Sequence, residues 1–340
     1  MKTSLKIMCV GFLFIQACTK DDVGDLNAFA SPDQDVNNAS LSGWTQFAAS
    51  PTGRSSAFGL SIGNKGYVGG GIGTTTGDDF WEYDPASNKW TRKADFPGGL
   101  RLWAISFSIG NKGYVGSGLL ARGQGNPVPL DFWEYDPSTD VWTRKADLPE
   151  KPFTANATTA FSIGDKGYVG ISCGEVQLYE YNPDTNRWTK KATLPGDNRF
   201  GSIGFSVGGK GYIGLGIVRG GGRETVMSDI WEFDPAANTW TRKGDFPGPR
   251  AEAVAFGIGD KGYVTSGIAE PNSGILKNDL WEYDPAEDNW VLQDLDEYSA
   301  RSEAVGFSIG NSGFIGFGYT LVGSNFQVNY PRDLWKFTVN

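Results

Sequence analysis

The sequence predicts an all-β chain closed into a ring of six four-stranded sheets, a six-bladed β-propeller, and three observations carry that prediction. The first is a G-[YF]-[VI] element whose aromatic recurs at Tyr67, Tyr114, Tyr168, Tyr212, Tyr263 and Phe314, at spacings of 44 to 54 residues. Self-similarity at such a period marks a propeller or a solenoid. The second is a hairpin element that follows each copy: WEYDPASNKW, WEYDPSTDVW, YEYNPDTNRW, WEFDPAANTW and WEYDPAEDNW, with a last copy, LWKFTVN, that stops before any closing tryptophan. The third is the whereabouts of the missing piece. Trp44 opens WTQFAASP with Pro51 seven residues on, the spacing of Trp90 to Pro97, Trp142 to Pro149, Trp188 to Pro195 and Trp240 to Pro247. The N-terminal strand around Trp44 is therefore expected to complete the last blade and close the ring.

Each blade reads as four antiparallel strands, in blade 1 roughly 54–62, 66–71, 79–84 and 89–95, with the turn residues GNKG and DPASN between the tight pairs. The first turn is constant in length in all six copies, so one face of the ring is trimmed to tight turns. Along the innermost strand small residues alternate with bulky ones, as in Ala57 and Gly59 against Phe58 and Leu60, or Ala253 and Ala255 against Val254 and Phe256. Period-two alternation puts the two sets on opposite faces, so neighbouring blades can interdigitate near the axis. The recurring Trp and Tyr are read as blade packing, because every copy carries them. The basic residues Arg92-Lys93, Arg144-Lys145, Lys190-Lys191 and Arg242-Lys243 are read as cross-strand partners of Glu82, Glu134, Glu180 and Glu232.

The glycine-rich G-Y-x-x-G-G strand, the W-x-Y-D-P hairpin and the tryptophan that follows resemble the kelch family of β-propellers over about residues 41–340. The glycine doublet is clean only at Gly69 and Gly70; elsewhere it reads VGSG, VGIS, IGLG, VTSG and IGFG. The resemblance implies the fold firmly and the activity weakly, since such propellers host many functions. The copper oxidases built on this fold use tyrosine and histidine ligands, and this chain has no histidine, so neither copper oxidation nor an imidazole base is available to it. The S-x-D-x-G-x-T-W boxes of sialidases are absent. GSGLLA at 116–121 nearly fits a dinucleotide fingerprint but follows a hairpin strand with no helix, so no cofactor and no metal are expected.

Residues 1–17 carry Lys2 and Lys6, then the apolar run IMCVGFLFI, and read as an export signal. Ile15-Gln16-Ala17-Cys18 resembles a bacterial lipobox, which implies lipidation of Cys18 and a mature chain beginning there. Residues 18–40 read as a flexible tether, 41–340 as the propeller. The Thr-Lys-Asp-Asp after Cys18 resembles the tract that sends lipoproteins to the cell surface, with the periplasm as the other expectation. Contact with the membrane is then through the lipid anchor alone. With Cys9 in the signal and Cys173 in a strand, no structural disulfide is expected. The net charge of −9 argues against nucleic acid as a partner.

Antiparallel logic puts the long loops 118–130, 217–228, 268–278 and 319–332 on the face opposite the tight turns, with blade 3 shortened there to 172–176. Loops on a rigid scaffold are where binding residues gather. On that face, thirteen residues before each repeat aromatic, stand Arg54, Arg101, Arg199, Arg250 and Arg301, with Ala155 in blade 3. Glu252 and Glu303 lie two residues after Arg250 and Arg301 and are expected to neutralise them, whereas Arg54, Arg101 and Arg199 show no local partner. Trp103, the tryptophan outside both repeat frames, stands beside Arg101. These residues at the axial mouth are expected to bind an acidic glycan or an acidic peptide or protein ligand, as a non-catalytic module, with a structural alternative in which the arginines pair with carboxylates of neighbouring blades and Trp103 plugs the channel. The alternative is an enzyme: bacterial mutarotases acting on sialic acid resemble this fold, and Glu252, Glu303 and Glu224 are the candidate acid and base.

Overall fold

The computed structural model describes residues 41–74, 77–121, 127–271, 273–293, 298–323 and 327–339. The signal at 1–17, Cys18 and the tether at 18–40 lie outside the described residues.

Six four-stranded antiparallel sheets form the blades, each stepping outward in chain order. Blade 1 runs Phe58–Ile62, Lys65–Gly69, Phe80–Asp84 and Lys89–Lys93, and blade 2 runs Ile105–Ile109, Lys112–Gly116, Phe132–Asp136 and Val141–Arg144. Blade 3 comprises Thr158–Ile163, Lys166–Ser172, Val176–Asn182 and Arg187–Lys190. Blade 4 comprises Ile203–Val207, Lys210–Gly214, Ile230–Asp234 and Thr239–Lys243, and blade 5 Val254–Ile258, Lys261–Thr265, Leu280–Asp284 and Asn289–Gln293. Blade 6 takes Val305–Ile309, Ser312–Gly316 and Leu334–Val339 from the end of the chain and Leu41–Phe47 from its beginning. The closing pair is in register from Thr45↔Lys336 to Phe47↔Leu334. Trp44 meets the rings of Tyr298 and Phe337 edge-on at 4.9 and 5.0 Å, so the closure is sealed by aromatic packing as well as by backbone.

The inner strands of the six blades touch in sequence and return to the first, which makes the axis a closed barrel of strands. The bulky inner positions are buried, as in Phe58, Leu60, Ile105 and Phe107. Their small counterparts are small because the next blade leaves no room: a Cβ on Gly59 would stand 2.1 Å from Val305 Cγ1, and one on Gly306 2.1 Å from Val254 Cγ1. At the tight turns Gly63 adopts φ 58° with open space about it, the left-handed geometry that a two-residue hairpin turn requires.

The repeated tryptophan clamps its blade to the one before. Trp90 Nε1 donates to Ala48 O at 2.9 Å, while Ala48 N donates to Asn88 Oδ1 at 2.8 Å. Trp142 with Ala94 and Asp140, Trp188 with Ala146 and Asn186, and Trp240 with Ala192 and Asn238 repeat the exchange. Inside the first five blades the repeat tyrosine donates to the glutamate of the hairpin, as Tyr67 to Glu82 at 2.8 Å, whereas blade 6 pairs Phe314 with Lys336. The basic residues divide their work. Lys145 and Lys191 reach Glu134 and Glu180 at 3.3 Å, but Arg92, Arg144 and Arg242 turn to Asp95, Asp147 and Asp245 in the same strand end.

Candidate functional site

The arginine ring is closed from the ligand side. Arg54, Arg101, Arg199, Arg250 and Arg301 are at most 2% exposed. Each guanidinium makes a two-pronged ion pair at 2.7–3.1 Å with an aspartate two residues before the hairpin tryptophan: Asp79, Asp131, Asp229, Asp279 and Asp333. Each also donates to the carbonyl of the third residue after the repeat aromatic, from Gly70 and Ser117 at 2.7 Å to Leu215 at 3.3 Å. That residue has a left-handed backbone in all five blades, at Gly70, Ser117, Leu215, Ser266 and Phe317 (φ 56–64°), which turns its carbonyl toward the arginine. Burial pushes the aspartate pKa values up, but the arginine hydrogen bonds and charge outweigh it and hold all five below the usual carboxylate range.

This corrects two expectations. Arg54, Arg101 and Arg199 do have partners, and Glu252 and Glu303 do not neutralise Arg250 and Arg301. The sequence held the signal: blade 3, which has Ala155 for the arginine, has Gln177 for the aspartate. An arginine ring sealed by bidentate carboxylates has no face left for an acidic ligand.

The mouth of the channel is instead built from the residues just inside the arginines. Trp103 N donates to Ser56 O, Ser56 N to Glu303 O, Glu303 N to Glu252 O, Glu252 N to Gly201 O and Gly201 N to Asn156 O, at 2.8 to 3.4 Å. This belt of backbone hydrogen bonds links one residue from every blade around the axis. Ser56, Trp103, Gly201, Glu252 and Glu303 all have left-handed backbones, with φ between 52° and 62°. For the non-glycine residues such a conformation costs on the order of 1 kcal/mol or more each. The belt hydrogen bonds offset it.

Two of the six belt positions are carboxyls, and they are neighbours. Glu303 accepts from Ser56 Oγ and Glu252 accepts from Ser302 Oγ at 3.0 Å. Both are surrounded by protein yet keep part of their surface open. Burial and the Glu303 charge push the Glu252 carboxyl up to about 8. Burial raises Glu303 as well, opposed by the donors Ser56, Trp103 and Ser55, which favour its ionised form. The physical sense is of two acids that resist ionising together, the Glu303 charge raising Glu252 while donors around Glu303 favour its ionised form. Trp103 Nε1 is buried and faces Glu303, and Thr158 Oγ1 at the start of the blade 3 inner strand closes no hydrogen bond among the described residues. Burial and the two glutamates raise the pKa of the Tyr319 hydroxyl, so it stays protonated.

Of the residues expected to form the site, the structure brings Trp103, Glu252 and Glu303 together and takes the five arginines out. Glu224 pairs with Arg219 at 2.6 Å on the hairpin of Ile217–Gly220 and Arg223–Val226, with the Arg219 guanidinium 4.4 Å over Phe200. Ser56, Ser302 and Tyr319 went unread in the sequence. Ser56 alone had a findable signal, since it occupies the position of Trp103 and the two glutamates in its own copy of the repeat.

No family model matches the chain. Kelch-like protein 25 of Xenopus tropicalis is 29% identical over 235 residues, which covers 64% of this chain and 37% of that protein. The chain thus spans little more than a third of the length of that relative. A solved structure described as that of YjhT superposes with a TM-score of 0.66 at 19% identity, covering 85% of this chain and 95% of the other. At that identity the likeness is one of fold, and with the six sheets and the N-terminal closure it makes this chain a six-bladed β-propeller.

Proposed function

We propose that this is a carbohydrate-active propeller that works at its axial mouth, on a neutral hydroxylated ring, with Glu252 and Glu303 as an acid and base pair. The observation that carries the reading is the pairing itself: two neighbouring carboxyls on one belt, both raised by burial, with Glu252 pushed up to about 8 beside Glu303. Trp103 supplies an aromatic face beside them, which suits the apolar face of a sugar ring.

The chemistry within reach of such a pair is exchange of the anomers of a reducing sugar. Glu303 takes the proton of the anomeric hydroxyl while Glu252 gives one to the ring oxygen. The ring C–O bond opens to a carbonyl, the carbonyl carbon turns, and the reverse transfers close the ring with the carboxyls in exchanged roles. General acid–base help of this kind contributes about 10²–10⁴-fold. The resemblance to mutarotases supports the reaction class. A carboxylated sugar fits less well, because the guanidiniums that would meet it are already paired. Export and lipidation at Cys18, with a place at the cell surface, belong to the same proposal and rest on residues 1–40 of the sequence.

The test is exchange spectroscopy on equilibrating neutral sugars, with wild type and Glu252→Gln. Wild type should speed anomer exchange over buffer, and E252Q should lose about 10²-fold of that while still binding. Binding without faster exchange would leave a non-catalytic module, and no binding of any sugar would end the carbohydrate reading.

A further inference from the structure

We propose that the rim of blade 3 holds a second site, which takes the guanidinium of an arginine side chain from a peptide or protein ligand. In five blades a resident guanidinium sits between the repeat aspartate, the carbonyl of a left-handed residue and, in three of them, the residue after the proline that ends the preceding outer strand: Thr52, Gly98 and Gly248. Blade 3 changes every part at once. Ala155 replaces the arginine, Gln177 the aspartate, and the second strand runs straight through Ile171 to Ser172 with no left-handed turn. The residue after Pro149 is now Glu150.

What remains is a cavity of about 400 Å³ lined by Glu150, Cys173, Glu175 and Gln177, with Lys151 and Lys190 among its walls. Glu150 and Gln177 occupy the register positions that touch the guanidinium elsewhere, so the cavity, an open one, shares two walls with the place the missing side chain would take, though Ala155 is not among its lining. A carboxylate is still present, supplied from the other wall. The Cys173 thiol donates to Glu150 Oε2 at 2.8 Å, and this bond, the Tyr179 hydroxyl and the charge of Lys190 keep Glu150 ionised against the cost of burial. Gln177 is buried, its amide N–H donating to Glu175 Oε2 at 2.9 Å and its oxygen accepting from Thr193 Oγ1 at 3.2 Å. A planar fork of N–H donors suits two carboxylates and an amide oxygen better than an ammonium does. Lys151 and Lys190 are exposed and close no ion pair among the described residues. Lys190 has the place of Arg92, but the Asp95 that holds Arg92 is here Thr193, which leaves the lysine free to turn outward.

The experiment is calorimetry with Nα-acetyl-arginine amide and the lysine analogue, together with the rate at which a thiol reagent modifies Cys173. The arginine compound should bind about tenfold more tightly than the lysine one and slow Cys173 modification, and Glu150→Gln should weaken it by about tenfold. Glu252→Gln should leave this binding unchanged. Equal response to the two compounds, Cys173 modification indifferent to the arginine compound, or full binding by a folded E150Q protein would each overturn the proposal.

Discussion

Blade 3 and the other five blades solve one problem in two ways, and the difference separates scaffold from site. Where the inner strand enters a blade, the sheet needs something to close its open end. Five blades use a buried arginine locked to an aspartate and a left-handed turn, capped in three by a two-residue strand such as Arg54–Ser55 against Ile72–Gly73 and in two by a single bridge, Ala251↔Ile268 or Ser302↔Tyr319. Blade 3 extends its second and third strands to seven residues each and closes with backbone pairs out to Ser172↔Val176. The ion pair is thus an alternative to two more rungs of sheet, and the blade that gave it up has an open pocket beside the place.

The largest effect expected from breaking the comparison comes from Arg301→Ala, which leaves Asp333 buried beside nothing but the Trp335 indole. Denaturant melts should show a loss of about 3–5 kcal/mol. Arg301→Ala with Asp333→Gln, the blade 3 chemistry, should recover a large part of it, and a double variant no better than the single would show that the charge was never the issue.

Next in size is the response to pH at the axis. A folded Glu252 that holds its proton up to about 8 binds a proton that the unfolded chain has released above its ordinary value near 4.5. Stability should therefore be fullest below pH 4.5, as far as this group is concerned, and fall as pH rises toward 8, with a slope approaching ~1.4 kcal/mol per pH unit. Melting curves of Glu252→Gln should lack that slope and lie above wild type at pH 8. The aspartates of the ion pairs act with the opposite sign: their stabilisation is lost only as pH falls below the usual carboxylate range.

A smaller effect tests the interlocking of the inner strands. Gly59→Ala drives a Cβ into Val305, whereas blade 3 already carries Ala160 at that position; the glycine change should cost about 1–3 kcal/mol by overpacking. The smallest belongs to the rim. Arg92→Ala removes an exposed pair with Asp95 that blade 3 does without, and should move the melting midpoint by no more than about 0.5 kcal/mol in free-energy terms.

Much of this molecule was legible in its sequence, because a repeat protein prints its own alignment. Trp44 with Pro51 announced the closure, and Gly59 against Phe58 announced which face of the inner strand meets the next blade. The arginine positions were legible too, but their partners were not sought far enough away: Asp79 lies 25 residues beyond Arg54 and Asp333 lies 32 beyond Arg301, across a hairpin of varying length. Glu252 and Glu303 were noticed for the wrong reason. Spacing along a strand suggested a salt bridge to the adjacent arginine, while both residues have a left-handed backbone and each carboxyl reaches a serine of the next blade, Glu252 to Ser302 and Glu303 to Ser56.

By itself, then, the sequence determined the number of blades, the strand that closes them and the residues that pack them, since those follow from local periodicity repeated six times. Tertiary structure alone decided which charges are spent and which are left. Two carboxyls become neighbours only when the ring brings blade against blade, and five arginines become scaffold only when each blade folds the aspartate of its own hairpin onto them.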